Sequence, residues 1–190
     1  MRTYFSLLLV LIFLPISTSA AETTLTRIED YLNDLTTVQA QFTQVAADGA
    51  ITTGMFYLQR PGKMRWEYNP PTPVLMVSNG GTMTYFDREL AQTSYIPIED
   101  TPAGILVKDH ISLTNELGVK QLEEHAGAVR ITLYQPEKPD NGELTLEFSD
   151  RPLALRNLSA IDATGQETTV SFNNAVFGQP IDPALFTLRK

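Results

Sequence analysis

Arg60 is the residue whose surroundings give its chemistry a use. Gly54, Phe56, Leu58 and Arg60 recur at every second position, so a regular strand projects all four from one face. Pro61-Gly62 then turns the chain, and Met64, Trp66 and Tyr68 alternate with Lys63, Arg65 and Glu67 as in a half-buried strand. An always-charged guanidinium, rich in hydrogen-bond donors, thus ends an apolar row at the edge of whatever that row encloses. Catalytic chemistry is harder to assemble. Only His110 and His125 are available, and there is no HExxH, GxSxG or P-loop pattern. His125 lies near a turn at Ala126-Gly127 and His110 in a mid-chain insert, and both read as structural or exposed residues. Asp87-Arg88-Glu89 and Asp162-Ala163-Thr164-Gly165 lack the ligand spacing of a calcium loop and read as solvated turns. Cysteine is absent, which excludes disulfides, thiol catalysis and thiolate zinc sites. The sequence therefore assigns no catalytic residue, no metal and no cofactor.

The elements that must position Arg60 are mostly strands. Leu25, Ile28, Leu32 and Leu35 recur at helical spacing, with Thr26 and Glu29 placed to form a capping box. Near Thr36-Thr37 the period changes to two, and Val38, Ala40 and Phe42 alternate with Gln39, Gln41 and Thr43. Ten further strand-like runs follow, over residues 51–59, 63–68, 74–78, 83–86, 91–96, 119–124, 129–135, 143–148, 153–162 and 167–173. Turn signals such as Asp48-Gly49, Asn79-Gly80-Gly81 and Asn141-Gly142 separate many of them. One segment breaks the rhythm. Thr101-Pro102 offers an N-cap and a first-turn proline before Ile105, Leu106 and Val107, and Ile111, Leu113 and Leu117 follow. The expected architecture is mainly β: a single curved antiparallel sheet of about eleven strands, not closed, covered by an N-terminal helix and short mid-chain helices.

Residues 1–21 read as a cleavable secretory signal, with Arg2 as the positive region, an apolar run from Phe5 to Ile16, and small residues for cleavage after Ala20 or Ala21. Residues 22–190 then form one domain with a real core, expected to be exported and soluble. The formal charge is −8, becoming −9 if Arg2 is removed, with a pI near 4.7. That balance argues against nucleic acid, whose binding rests on Lys and Arg, and fits simple solubility.

The run Gly-Met-Phe-Tyr-Leu-Gln-Arg-Pro-Gly-Lys-Met-Arg-Trp, residues 54–66, closely resembles the LolA family of periplasmic lipoprotein carriers. Weaker matches to that family extend the resemblance over the mature chain: Gln41-Phe42-Thr43-Gln44, Val77-Ser78-Asn79-Gly80, Thr101-Pro102 leading to Ile105-Leu106-Val107, and Asp182-Pro183-Ala184-Leu185-Phe186. The resemblance implies an unclosed barrel with a helical lid over an apolar cavity. It further implies that the cavity receives the acyl chains of lipoproteins from an inner-membrane ATP-binding transporter. Delivery would be to the outer membrane, with an acceptor protein there left open, and the carrier is expected to be a periplasmic monomer. A second reading is a carrier or sensor of another amphiphile, such as a glycolipid or sterol-like lipid, on the same scaffold. A third is an unrecognised periplasmic hydrolase.

Arg60 matches the family arginine that hydrogen-bonds the lid and holds the empty carrier closed. Met64 and Trp66 match interior positions where acyl chains would lie, and Leu32, Leu35, Phe42, Phe56, Leu58, Ile105 and Leu106 complete the expected lining. A Met64→Glu variant is expected to fold and to lose lipid. Thr84 stands where the family commonly has a tryptophan, and is expected to reshape the cavity.

Overall fold

Alternation and turn residues produce eleven strands in the computed structural model, which describes residues 19–188. They are β1 (Thr37–Val45), β2 (Ile51–Gln59), β3 (Lys63–Tyr68), β4 (Val74–Asn79), β5 (Thr82–Asp87) and β6 (Gln92–Pro97). The second group is β7 (Gly118–His125), β8 (Ala128–Tyr134), β9 (Glu143–Asp150), β10 (Leu153–Ile161) and β11 (Glu167–Phe177). All belong to one antiparallel sheet in the order β6-β5-β4-β3-β2-β1-β11-β10-β9-β8-β7. The terminal strands β6 and β7 do not pair with each other, so the sheet is not closed. Bulges at Gln39/Gln41, Leu155/Asn157 and Val119/Gln121 bend its strands. The expected runs match these strands to within a few residues.

Register explains the interior. Ala40, Phe56, Trp66 and Met76 lie opposite one another across four strands, and Val38, Leu58, Met64 and Ser78 form the adjacent row. Phe42 pairs with Gly54, and the glycine is needed there. A Cβ at Gly54 would stand 2.1 Å from the Glu67 carbonyl oxygen and 2.7 Å from the Phe42 ring. Its absence lets Phe42 meet Trp66 and Tyr68 edge-on at 5.0 and 5.1 Å. The other half of the sheet is mainly aliphatic, with Ile131, Leu133, Leu146 and Phe148 fully buried.

Helix α1 (Ser19–Asp34) packs Ile28 and Leu32 into the same core. Tyr31 fixes it against the sheet, its hydroxyl accepting from the Leu155 amide at 3.0 Å and its ring meeting Phe148 edge-on at 5.4 Å. The described helix already includes Ser19, so Thr26 lies in its interior and is not the N-cap that the expected capping box needs. Glu29 instead accepts a hydrogen bond from the Leu113 amide, 2.6 Å away. Most of the expected signal segment lies outside the described residues.

The mid-chain insert is built of 3-10 turns, Ile98–Asp100 and Pro102–Val107, followed by irregular chain to residue 117. Thr101 does not cap the second turn with its side chain; its hydroxyl donates to Ile98 O at 2.7 Å and closes the first. Gly104 is required by tightness, because a Cβ would stand 2.5 Å from the Ile98 oxygen. Ile105, Leu106, Val107, Ile111 and Leu113 are buried and join the core, so the insert covers the open side of the sheet.

Two outward residues of this region depart from the sequence expectation. Arg65 is only 9% exposed, because the C-terminal turn Pro183–Phe186 packs over β3 and β4. There Arg65 donates to Leu185 O at 2.9 Å and pairs with Glu67 at 2.7 Å. Thr84 pairs with Val77 and Tyr95, on the opposite face from Met83 and Met76. It therefore shapes the outside of the sheet and not the cavity.

Candidate functional site

The turn after β2 holds the C-terminal end of the lid. A short 3-10 helix leaves its last carbonyls without partners inside the helix. Here the carbonyl of Val107, the last residue of the turn, and those of the two residues after it are received by Arg60 and Gly62. Gly62 N donates to Val107 O at 2.9 Å, Arg60 Nε to Lys108 O at 2.7 Å, and Arg60 Nη2 to Asp109 O at 3.3 Å. Arg60 Nη1 also donates to Leu32 O, which ties the same guanidinium to α1. Burial lowers the Arg60 pKa from its ordinary value, and nearby Asp109 opposes the shift; a guanidinium nevertheless stays charged. The turn is itself braced, because Gly80 N and Ser78 Oγ donate to Gly62 O at 3.0 and 2.9 Å.

Further along the lid, Asn33 and Ile111 form a reciprocal pair. Asn33 Nδ2 donates to Ile111 O and Ile111 N donates to Asn33 Oδ1, both at 2.9 Å. The lid's N-terminal end is held from across the sheet by the β8–β9 loop. Lys138 Nζ lies 3.0 Å from Glu99 and 2.7 Å from Asp100. Gln135 and Asn141 donate to Glu99 O at 3.1 and 3.2 Å.

Beneath the lid, every apolar residue expected in the lining is buried in one cluster. Leu32, Leu35, Phe42, Phe56, Leu58, Met64, Trp66, Ile105 and Leu106 are all between 0% and 7% exposed. Of these, Trp66 and Leu106 also line a cavity of about 180 Å³, together with Met76, Met83, Leu144, Leu158 and Val170. The others are packed against their neighbours. The free volume lies below the roughly 300–1,000 Å³ of a site that encloses a drug-sized ligand.

Sequence reasoning missed several residues here. The Gly62 amide carries no side-chain signal. Phe172, whose ring lies tilted against Phe56 at 5.1 Å, comes from the far end of the chain. Gln44 and Tyr68 stand at the cavity, with Tyr68 OH donating to Gln44 Oε1 at 2.7 Å, and burial pushes the Tyr68 phenol up to about 12. His110 and His125 are exposed. Among the described residues no group of three or more His, Cys, Asp or Glu side chains could hold a metal ion. No helix among them is long and apolar enough to cross a membrane.

Comparison with known proteins agrees with this geometry. The outer-membrane lipoprotein carrier protein of Methylococcus capsulatus is 32% identical over 178 residues, covering 88% of this chain and 85% of that protein. That of Azotobacter vinelandii is 29% identical, covering 100% of this chain and 95% of its own. The crystal structure of an uncharacterized conserved protein from Thermus thermophilus shares the fold, with a TM-score of 0.51 at 13% identity, covering 90% of this chain and 96% of that one. A family model described as outer membrane lipoprotein carrier protein LolA matches residues 33–189. With an unclosed sheet, an apolar interior and a lid fastened by the Arg60 turn, this chain belongs to the LolA family.

Proposed function

We propose that this protein is a periplasmic carrier of outer-membrane lipoproteins, binding their acyl chains under the lid. In this reading residues 1–21 direct export and are removed. An inner-membrane ATP-binding transporter loads the carrier, which works as a monomer and releases its cargo at the outer membrane. Arg60 is the lid latch, and the buried cluster from Leu32 to Leu106 is the surface that acyl chains would meet. The family is one of carriers, and no catalytic step is assigned.

The observation that carries the reading is the lid's attachment. The lid's apolar side chains complete the core, yet the lid is no strand of the sheet and is held at its ends by side-chain hydrogen bonds and isolated backbone bonds. It can therefore lift without breaking a strand pair. Each buried methylene contributes roughly 0.8 kcal/mol, so long acyl chains exposed to water cost on the order of tens of kcal/mol. A carrier need offset only part of that, since binding too tightly would prevent release. A lid that reseals over its own leucines and isoleucines competes with the ligand and sets the balance.

The test is capture of cargo by the mature, tagged protein co-expressed with an outer-membrane lipoprotein, beside a Cys→Ser version of that lipoprotein that cannot be acylated. Recovery of the acylated form alone, in a one-to-one complex, is the expected result. Recovery of neither form, with another lipid in the purified protein by mass spectrometry, would replace the cargo and leave the scaffold.

A further inference from the structure

The cavity under the lid is apolar except at a few points, and two of these are bonded to each other. Tyr68, 7% exposed, donates to Gln44 Oε1 at 2.7 Å, and both residues line the cavity with Trp66, Met76, Leu106 and Val170. Gln44 sits on the inward row of β1, directly opposite Val170. This places an amide at the end of the row Val38, Ala40, Phe42, where alternation calls for another apolar residue. No other hydrogen bond of the Gln44 side chain is formed among the described residues. With its oxygen engaged, the amide keeps two N–H donors. Were the amide turned over, Tyr68 would accept from it and the phenolic O–H would become the outward donor. Either way the pair keeps at least one donor free to face the cavity.

An acyl chain is apolar along its length but carries an ester or amide carbonyl where it joins its head. A carbonyl drawn into an apolar cavity needs a donor, because an unpaired buried acceptor is costly. We propose that Gln44 and Tyr68 form a carbonyl subsite, which receives the ester or amide carbonyl at the head of an acyl chain whose tail lies against Trp66 and Leu106. This rests on the carrier reading above and adds a preference within it: the site recognises acyl linkage and not aliphatic length alone.

Trp66 is the single tryptophan of the chain and lines the cavity, so its fluorescence reports occupancy directly. The test titrates the mature protein with 1-palmitoylglycerol and with 1-O-hexadecylglycerol, an ether of matched chain that lacks the carbonyl. The ester is expected to bind about fivefold more tightly, the worth of one ordinary hydrogen bond. In Gln44→Leu the ester should weaken to the level of the ether, and Tyr68→Phe should narrow the gap. Equal binding of the two by the unaltered protein, or an ester preference retained by both variants, overturns the subsite and leaves the carrier reading standing. A Trp66 signal that responds to neither amphiphile overturns both.

Discussion

The two ends of the lid are fastened by different chemistry. At the C-terminal end, Arg60, Gly62 and Asn33 hold backbone groups of residues 107–111 within the fold, and Glu29 holds Leu113. At the N-terminal end the lid leaves β6 through one backbone bond, Ile98 N to Gly81 O. Beyond it the contacts lie on the surface: Lys138 with Glu99 and Asp100, whose side chains are 71% and 44% exposed, and Gln135 and Asn141 on Glu99 O. Exposed ion pairs contribute little and are screened by salt, whereas donors on shielded carbonyls face no such competition from water. One end is thus a dock and the other a catch. The lid should loosen first at Glu99 and pivot on residues 107–113, and hydrogen exchange of the empty protein can follow this amide by amide.

The largest expected effect removes the distinction altogether. Met64 is fully buried with no share in the open cavity. A carboxylate there costs on the order of 3–5 kcal/mol, and Met64→Glu should lower the melting temperature by about 10 °C or more. The sequence-based expectation of a folded variant that only loses lipid gives way to this packing. An unchanged melting temperature would mean that the interior holds room the packing does not show.

Arg60→Leu comes next. It leaves the Leu32, Lys108 and Asp109 carbonyls without their donor, and should cost the C-terminal dock about 2–3 kcal/mol. Exchange at the Ile111 and Leu113 amides should rise about a hundredfold, and onward transfer of cargo should weaken more than loading. Arg60→Lys should restore little, since one ammonium cannot reproduce the fork. Loaded Arg60→Leu protein that delivers as well as the original would remove Arg60 from the mechanism.

Asn33→Asp should have a smaller effect on the same end. It loses the donor to Ile111 O and sets a carboxylate against that carbonyl, a change of about 1–2 kcal/mol read at Ile111 and not at Thr101. The smallest effect belongs to the catch. Lys138→Met should speed exchange at Thr101 and Gly104 about two- to threefold, added salt should do the same, and Lys138→Arg should restore protection. If Lys138→Met instead accelerates Ile111 as much as Thr101, the lid opens as one body and the contrast between its ends fails.

What could be read from the sequence was what repeats locally. Phe56 with Leu58, and Met64 with Trp66, declared their shared face through a period of two, and the intervening turns counted the strands. The same alternation put Arg60 at the rim. Contacts between distant segments left no such mark. Asn33 meets Ile111 across 78 positions, and Arg65 is buried by Leu185 from 120 positions away. The Gly62 amide is backbone, which no residue type advertises. Gln44 was hidden by its polarity, because a rule that equates inward with apolar ends the row at Phe42. Thr26 and Glu29 had the letters of a capping box, but the helix begins too early for them to serve as one.

The order of the strands has a consequence for how the molecule comes into being. β1 through β6 pair as successive neighbours, and so do β7 through β11, but the two groups meet along the seam of β1 and β11. That seam sets Val45 against Thr169 and Val38 against Phe177, residues made at opposite ends of synthesis. A chain synthesised from its N-terminus can form the first meander early. The seam must wait for the last strand, and such long-range pairing is slow. Until then the two halves of the apolar interior are not joined, so an incomplete chain offers a lipid no chamber.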